Sequence, residues 1–376
     1  MKTLHRSLLL LPLIATATMA QETTSPVGFN TVTALGSSDT RLSAPLQRHA
    51  VYQGVVQSVA GNEITVQGLP GWTLNQFLYV SGSQPNTYYV TPTTGNKKGM
   101  FYTLTANSAD SGTANTTTVT VDAAGDTLDT GSGILSGDAL SIIPFWTLDT
   151  MFPGQAGITG TTAILGTGAV TQILVTDPTT VGTDLASSRT YYYFTGSTFG
   201  GPGWRMISGG FTSIKNDDVI LPDLPIIVRQ NNVPTSQITV VGSVPASDRK
   251  YIIGTLQANQ DQDNNIAVDI PVPMTLTQSN LYQSGAFLGT SNIFGVGGDK
   301  LLVFNDAVTG YDKSANFTYY YFTGTTNGGE GWRRVGGGFS TIRDNDVIFQ
   351  PGSGYVVRKI ATPTPSTAVW SIPLPY

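Results

Sequence analysis

The chain contains one stretch twice, and that repetition limits what it can fold into more than any other feature. Residues 191–211 read YYYFTGSTFGGPGWRMISGGF and residues 319–339 read YYYFTGTTNGGEGWRRVGGGF, an offset of 128. The offset extends outward. Thr147-Leu148 matches Thr275-Leu276, Gly182 matches Gly310, Asp184 matches Asp312, and Asp218-Val219-Ile220 matches Asp346-Val347-Ile348. The second copy then gains one residue, so Arg229 corresponds to Arg358. Each copy spans about 85 residues, the size of a small domain or of half a larger one. Two copies are too few for a solenoid, which needs three or more stacked units to bury a core. The expectation is a tandem pair of β modules, as separate sandwiches or as pseudo-symmetric halves of one body.

Local patterning points to an all-β fold throughout. In VVQSVAGNEITVQGL (55–69) apolar residues alternate on both sides of Gly61-Asn62, the pattern of a hairpin. QITVVGSV (237–244) and KYIIGTL (250–256) read as further strands, and Pro144 ends the strand that closes the first third. No stretch has convincing 3.6-residue periodicity, and Thr147–Phe152 has room for one helical turn only. Short strands with frequent turns favour tandem β-sandwich-like modules over a propeller. The chain divides into a leader (1–20), an N-terminal β domain (21–146), a first repeat module with spacer strands (147–274), and a second repeat module with a proline-rich tail (275–376).

Composition narrows the compartment and the chemistry. Lys2 and Arg6, the apolar run Leu8–Ile14, and the small-x-small exit Thr18-Met19-Ala20 read as a signal peptide, with Gln21 first in the mature chain. The expected localisation is therefore exported: periplasm, outer surface or medium. No later segment is apolar for long enough to be a transmembrane helix. Pro373 and Pro375 argue against a final outer-membrane barrel strand ending at Tyr376. Without Lys2 and Arg6 the formal charge moves from −5 to −7, which argues against nucleic acid as a partner. With no cysteine, there is no disulfide and no thiol catalysis. His49 is the one histidine beyond the leader, so a metal site of several histidines is excluded.

PVGFNT, SDTRLSAPL, GWTLNQFLYVSGSQPNTYYV, GMFYTLTANSA, GDALSIIPFWTL and the paired GW…GYVVRK endings together resemble a family of exported bacterial β-proteins typical of the Verrucomicrobia and relatives. The resemblance covers nearly the whole mature chain. It implies export and a shared β architecture, and no activity, ligand or catalytic residue. The first copy departs from the pattern where Leu224-Pro225-Ile226-Ile227 replaces the glycines.

Few residues carry a chemical signal. Trp204-Arg205 and Trp332-Arg333 follow Gly-rich turns and are the candidate ligand-binding residues, as exposed sugar platforms. The competing reading packs each Trp at a sheet edge beneath its Arg. The four consecutive aromatics of each copy must face both sides of a strand. Asp217-Asp218 and Asp344-Asn345-Asp346 sit where a β-turn belongs, with a glycosidase carboxylate pair as the sharper alternative. Asp261, Asp263 and Asn265 begin like a calcium loop, but Ile266 and Val272 stand where the turn glycine and bidentate Glu belong, so a solvated loop is expected. No GxSxG elbow or phosphate-binding glycine loop is present, and no catalytic residue, cofactor or metal is assigned. The expected function is an exported, non-catalytic structural or surface-interaction protein, with glycan or other envelope proteins as partners. The alternatives are a carbohydrate-binding protein using the duplicated Trp and Tyr residues and, behind it, a carboxylate-based glycosidase or lyase.

Overall fold

The structure, a computed structural model, describes residues 26–110 and 116–376. The leader read in Met1–Ala20 lies outside the described residues, as does the stretch 111–115 of one polar loop. The regular structure of the described residues is nearly all strand, as the alternating pattern requires. Strands β1 (Val27–Ala34) and β2 (Asp39–Leu42) come first. Then follow β3 (Tyr52–Ala60), β4 (Glu63–Gln67), β5 (Tyr88–Pro92), β6 (Tyr102–Asn107), β7 (Thr116–Asp122) and β8 (Ala139–Pro144).

These six strands close into an antiparallel barrel in the order β3-β4-β7-β6-β5-β8. The β3–β4 hairpin pairs Ala60 with Glu63 and leaves Gly61-Asn62 as its two-residue loop. Closure buries one residue of each alternating pair: Val56, Ile64, Val66, Val90, Leu104, Val119, Leu140 and Ile142 form the interior. Trp72 stands edge-on to Tyr52 and Phe77 in the same core.

Beyond the barrel come β9 (Trp146–Thr147) and helix α1 (Leu148–Met151), where Thr147 and Thr150 form a reciprocal capping box. The first module continues with β10 (Val170–Thr176), β11 (Ser187–Phe194), β12 (Gly203–Met206), β13 (Val219–Ile220), β14 (Ile226–Asn231) and β15 (Ser236–Ser243). The second module consists of β16 (Arg249–Thr255), β17 (Gln262–Ala267), β18 (Met274–Thr275), β19 (Lys300–Val303), β20 (Phe317–Phe322), β21 (Gly331–Arg334), β22 (Val347–Phe349), β23 (Gly354–Lys359) and β24 (Ser366–Ile372).

The strand order of one module repeats in the other. Five-stranded sheets β12-β11-β10-β14-β2 and β21-β20-β19-β23-β17 each pack on a two-stranded ribbon, β1-β15 or β16-β24, and each module adds a short pair, β9-β13 or β18-β22. The inner face of the first sheet (Ile173, Tyr191, Trp204, Val228) meets Ala34, Ile238 and Val240 of the ribbon. Leu301, Tyr319, Trp332 and Val357 meet Tyr251, Ile253 and Trp370 in the second.

This order corrects the boundaries read from sequence. Residues 27–42 are strands of the first module rather than of the N-terminal β domain, since β1 pairs with β15 and β2 with β14. The barrel is inserted between β2 and β9. Likewise β16 and β17, read as spacer, begin the second module. Each repeated unit therefore starts two strands earlier than the offset of 128 reveals. A sheet accepts a strand through its backbone groups, so equivalent strands need share little side-chain identity.

The two modules meet across a pseudo-twofold arrangement. Arg229 makes a fork to Asp39 at 2.8 Å through both Nε and Nη2, and reaches Asp312 of the other module at 2.6 Å. Arg358 repeats the pattern with Asp263 at 2.7 and 2.9 Å and with Asp184 at 2.9 Å. The amides of Asp312 and Asp184 donate to Asp39 and Asp263, both at 2.8 Å. The separate-or-joined question left open by the sequence is thus answered by side chains that cross the junction in both directions.

Candidate interaction surface

Trp204, Arg205, Trp332 and Arg333 are all fully buried, at 0% exposure. They therefore offer no platform to a ligand in solvent, which corrects the ligand-binding expectation for these four residues. Trp204 lies in the sheet–ribbon core with Phe152 at 5.5 Å and Tyr193 at 5.7 Å. Trp332 takes the same place with Phe287 at 4.9 Å and Tyr321 at 5.5 Å. Side-chain alternation sends the adjacent Arg to the opposite face.

There each guanidinium grips backbone carbonyls instead of a carboxylate. Arg205 donates to the carbonyls of Trp204 (3.1 Å), Phe199 (3.1 Å), Gly201 (2.7 Å) and Phe211 (2.9 Å). Arg333 donates to those of Trp332 (3.1 Å), Asn327 (3.3 Å), Gly329 (2.6 Å) and Phe339 (2.9 Å). The planar fork of arginine suits this work, because it presents several fixed donors at once. Burial pulls the Arg205 guanidinium below its ordinary value.

The turn that receives the guanidinium explains the Gly-rich sequence. Phe199, Gly200 and Gly201 all have left-handed backbone, at φ 53°, 86° and 85°. Asn327, Gly328 and Gly329 repeat this at 53°, 90° and 90°. This curl lets the carbonyls of its first and third residues meet the guanidinium. Glycine and asparagine take such angles cheaply, whereas a bulky side chain costs about 1–2 kcal/mol. Phe199 sits in that conformation while 42% exposed.

The braced loops project an aromatic pair at the end of each module. Phe199 stands edge-on to Phe211 with centroids 5.0 Å apart, and Phe294 stands edge-on to Phe339 at 4.9 Å. Phe211 and Phe339 are repeat equivalents. Their partners are not: Phe199 comes from the turn after β11, and Phe294 from the loop before β19. Exposed Ile214 lies beside Gly200 of the first turn, and exposed Ile342 beside Gly331 just after the second. Sequence reasoning passed over these phenylalanines. The signal available to it was the phenylalanine that ends both repeated stretches.

The remaining candidates are structural in their contacts. Asp218 accepts from Tyr191 at 2.8 Å, and burial together with that bond pushes the Tyr191 phenol up to about 12. Asp346 accepts from Tyr319 at 3.3 Å. Asn216 and Asp344 accept the amides of Trp204 and Trp332 at 2.9 and 2.7 Å, pinning the turn to the edge strand. Asp263 and Asn265 lie on strand β17 rather than in a loop, and Asp263 is held by Arg358. Asp261 accepts the Ala361 amide at 2.7 Å, so these three do not converge as calcium ligands. Of the four aromatics, Tyr191 and Tyr193 face the sheet–ribbon core, while Tyr192 and Phe194 are buried on the other face. The Tyr192 hydroxyl donates to the Ile164 carbonyl of the covering loop.

The fold and the tips define a class: an all-β protein of two like modules with a barrel inserted into the first. No family model, no curated protein and no solved structure matches the chain.

Proposed function

We propose that this chain is an exported, non-catalytic structural or surface-interaction protein that engages its partners through the two aromatic tips. The supporting observation is Phe199: a bulky residue in left-handed backbone, exposed, and held there by a buried arginine. Backbone strain that a fold maintains at an exposed position is a pointer to use. The geometry of the pair recurs in the second module although a different loop supplies the partner ring, which favours the pair itself over inheritance of one residue. Exposed apolar groups at two ends of one chain suit contact with other envelope proteins or with further copies.

The test is sedimentation velocity of residues 21–376 over a concentration series, beside a Phe199→Ser/Phe294→Ser variant. Concentration-dependent association that the variant loses supports the reading. A chain that stays monomeric, and that retains the same partners in both forms when mixed with an extract of its own envelope, refutes it.

A further inference from the structure

The two modules act as internal controls for one another, and the comparison exposes one unfilled position. The outer edge of β2 is sealed: the amides of Asp39, Arg41 and Ser43 donate to Gly310 O (2.9 Å), Asp306 Oδ2 (3.2 Å) and Gly352 O (2.9 Å). Arg41 itself lies over the Phe304 ring. The equivalent edge of β17 presents Asp263, Asn265 and Ala267. Asp263 donates to Gly182 O and Ala267 to Asp223 O, both at 2.9 Å. Between them the Asn265 amide points outward by strand alternation and has no partner among the described residues. The reason lies in the sequence: Pro178 stands where the other copy has Asp306, Asn265 where it has Arg41, and Asp223 where it has Gly352.

A cleft of about 230 Å³ opens at this position. Pro178, Asp223, Asn265, Phe101, Ile252 and Leu256 are among its lining residues. The Asp223 carboxylate bonds to no other residue among those described, whereas Gly352 packs so closely on Asn30 that a side chain there has no space. The cleft thus offers one backbone donor, the Asn265 amide, one free carboxylate acceptor and an apolar wall. We infer that this cleft between the barrel and the modules binds a small neutral polyhydroxylated ligand, of the class of a single sugar unit. A hydroxyl accepts from the Asn265 amide and donates to Asp223, while Phe101 and Leu256 cover an apolar ring face. The carboxylate disfavours an anion. A strand-like peptide is disfavoured because the amides on either side, Asp263 and Ala267, are already bonded. The inference does not rest on the aromatic tips, which lie elsewhere.

The experiment is saturation-transfer NMR on residues 21–376 with glucose, galactose, mannose and N-acetylglucosamine, and with an N-acetylated trialanine amide as peptide probe. Saturable binding of at least one sugar is expected, with Kd on the order of 1 mM. Pro178→Asp restores the acceptor of the sealed edge and is expected to weaken binding at least about tenfold. Asp223→Asn, which keeps the shape of the cleft, is expected to weaken it similarly. Absence of saturation by every sugar, equal binding by both variants, or preferential saturation of the peptide would each overturn the inference.

Discussion

At the scale of single residues, the buried arginines set the energetics of the tips. Each donates to four carbonyls, of which the tryptophan carbonyl also accepts a backbone amide (Lys215 or Arg343, both 2.9 Å), so replacement still strips several bonds at once. Arg205→Met and Arg333→Met are each expected to cost about 3 kcal/mol or more in urea unfolding, the scale of leaving buried polar groups unpaired. Phe199 behaves in the opposite sense. Phe199→Asn installs the residue that the other module uses at the same φ, and is expected to stabilise the fold by about 1 kcal/mol while weakening any tip-mediated association. Asp223 adds a pH dependence. Burial pushes its carboxyl up to about 6 from an ordinary 3.8. A folded-state value above the unfolded one means that the folded chain holds the proton more tightly. Its contribution is therefore fully present below about pH 4 and is lost as pH rises through 6. Asp223→Asn should raise the melting temperature at pH 7, by on the order of 1 kcal/mol in stability, and leave it unchanged at pH 4.

At the scale of elements, the barrel and the modules differ in independence. The barrel closes on its own six strands and carries its own core, so it has no open edge to protect. Residues 48–146 expressed alone are expected to give a cooperative melt and a dispersed amide NMR spectrum. A fragment beginning at Thr147 lacks β1 and β2, and so loses the ribbon partner of β15 and the edge partner of β14. That fragment is expected to aggregate or to lack the dispersed spectrum. The barrel's outward contacts are both apolar and polar: Tyr89, Ile143 and Phe145 cluster with Val219 and Leu221 of the first module, Lys98 pairs with Asp248 at 3.1 Å, and the Lys250 amide donates to Gly99 O at 3.2 Å. They fix its placement beside the modules more than its folding.

At the scale of the whole molecule, four aspartates and two arginines join the halves, and their burial separates their worth. Asp39 and Asp263 are nearly inaccessible, while Asp184 and Asp312 are exposed. Asp263→Ala leaves Arg358 without its fork and should cost about 3–5 kcal/mol. Asp184→Ala should cost about 1 kcal/mol or less and lose even that at high salt. Equal effects from the two in denaturant titrations would remove burial as the explanation. The all-β class, the 128-residue offset, the Gly61-Asn62 hairpin and the short helical turn were legible from sequence, because period-two alternation, glycine at left-handed angles and capping threonines are local requirements. The orientation of Trp204 and Arg205 was not, since the same dipeptide suits an exposed edge or a core, and only packing against Phe152 and the carbonyl turn decides. Nor was the true extent of each module legible: β2 joins β14, and β17 joins β23, through backbone bonds across long separations that leave little mark on side-chain identity. The open amide of Asn265 belongs to the same category. Pro178 is an ordinary turn residue in sequence, and becomes a missing acceptor only when the tertiary fold sets it opposite a strand edge.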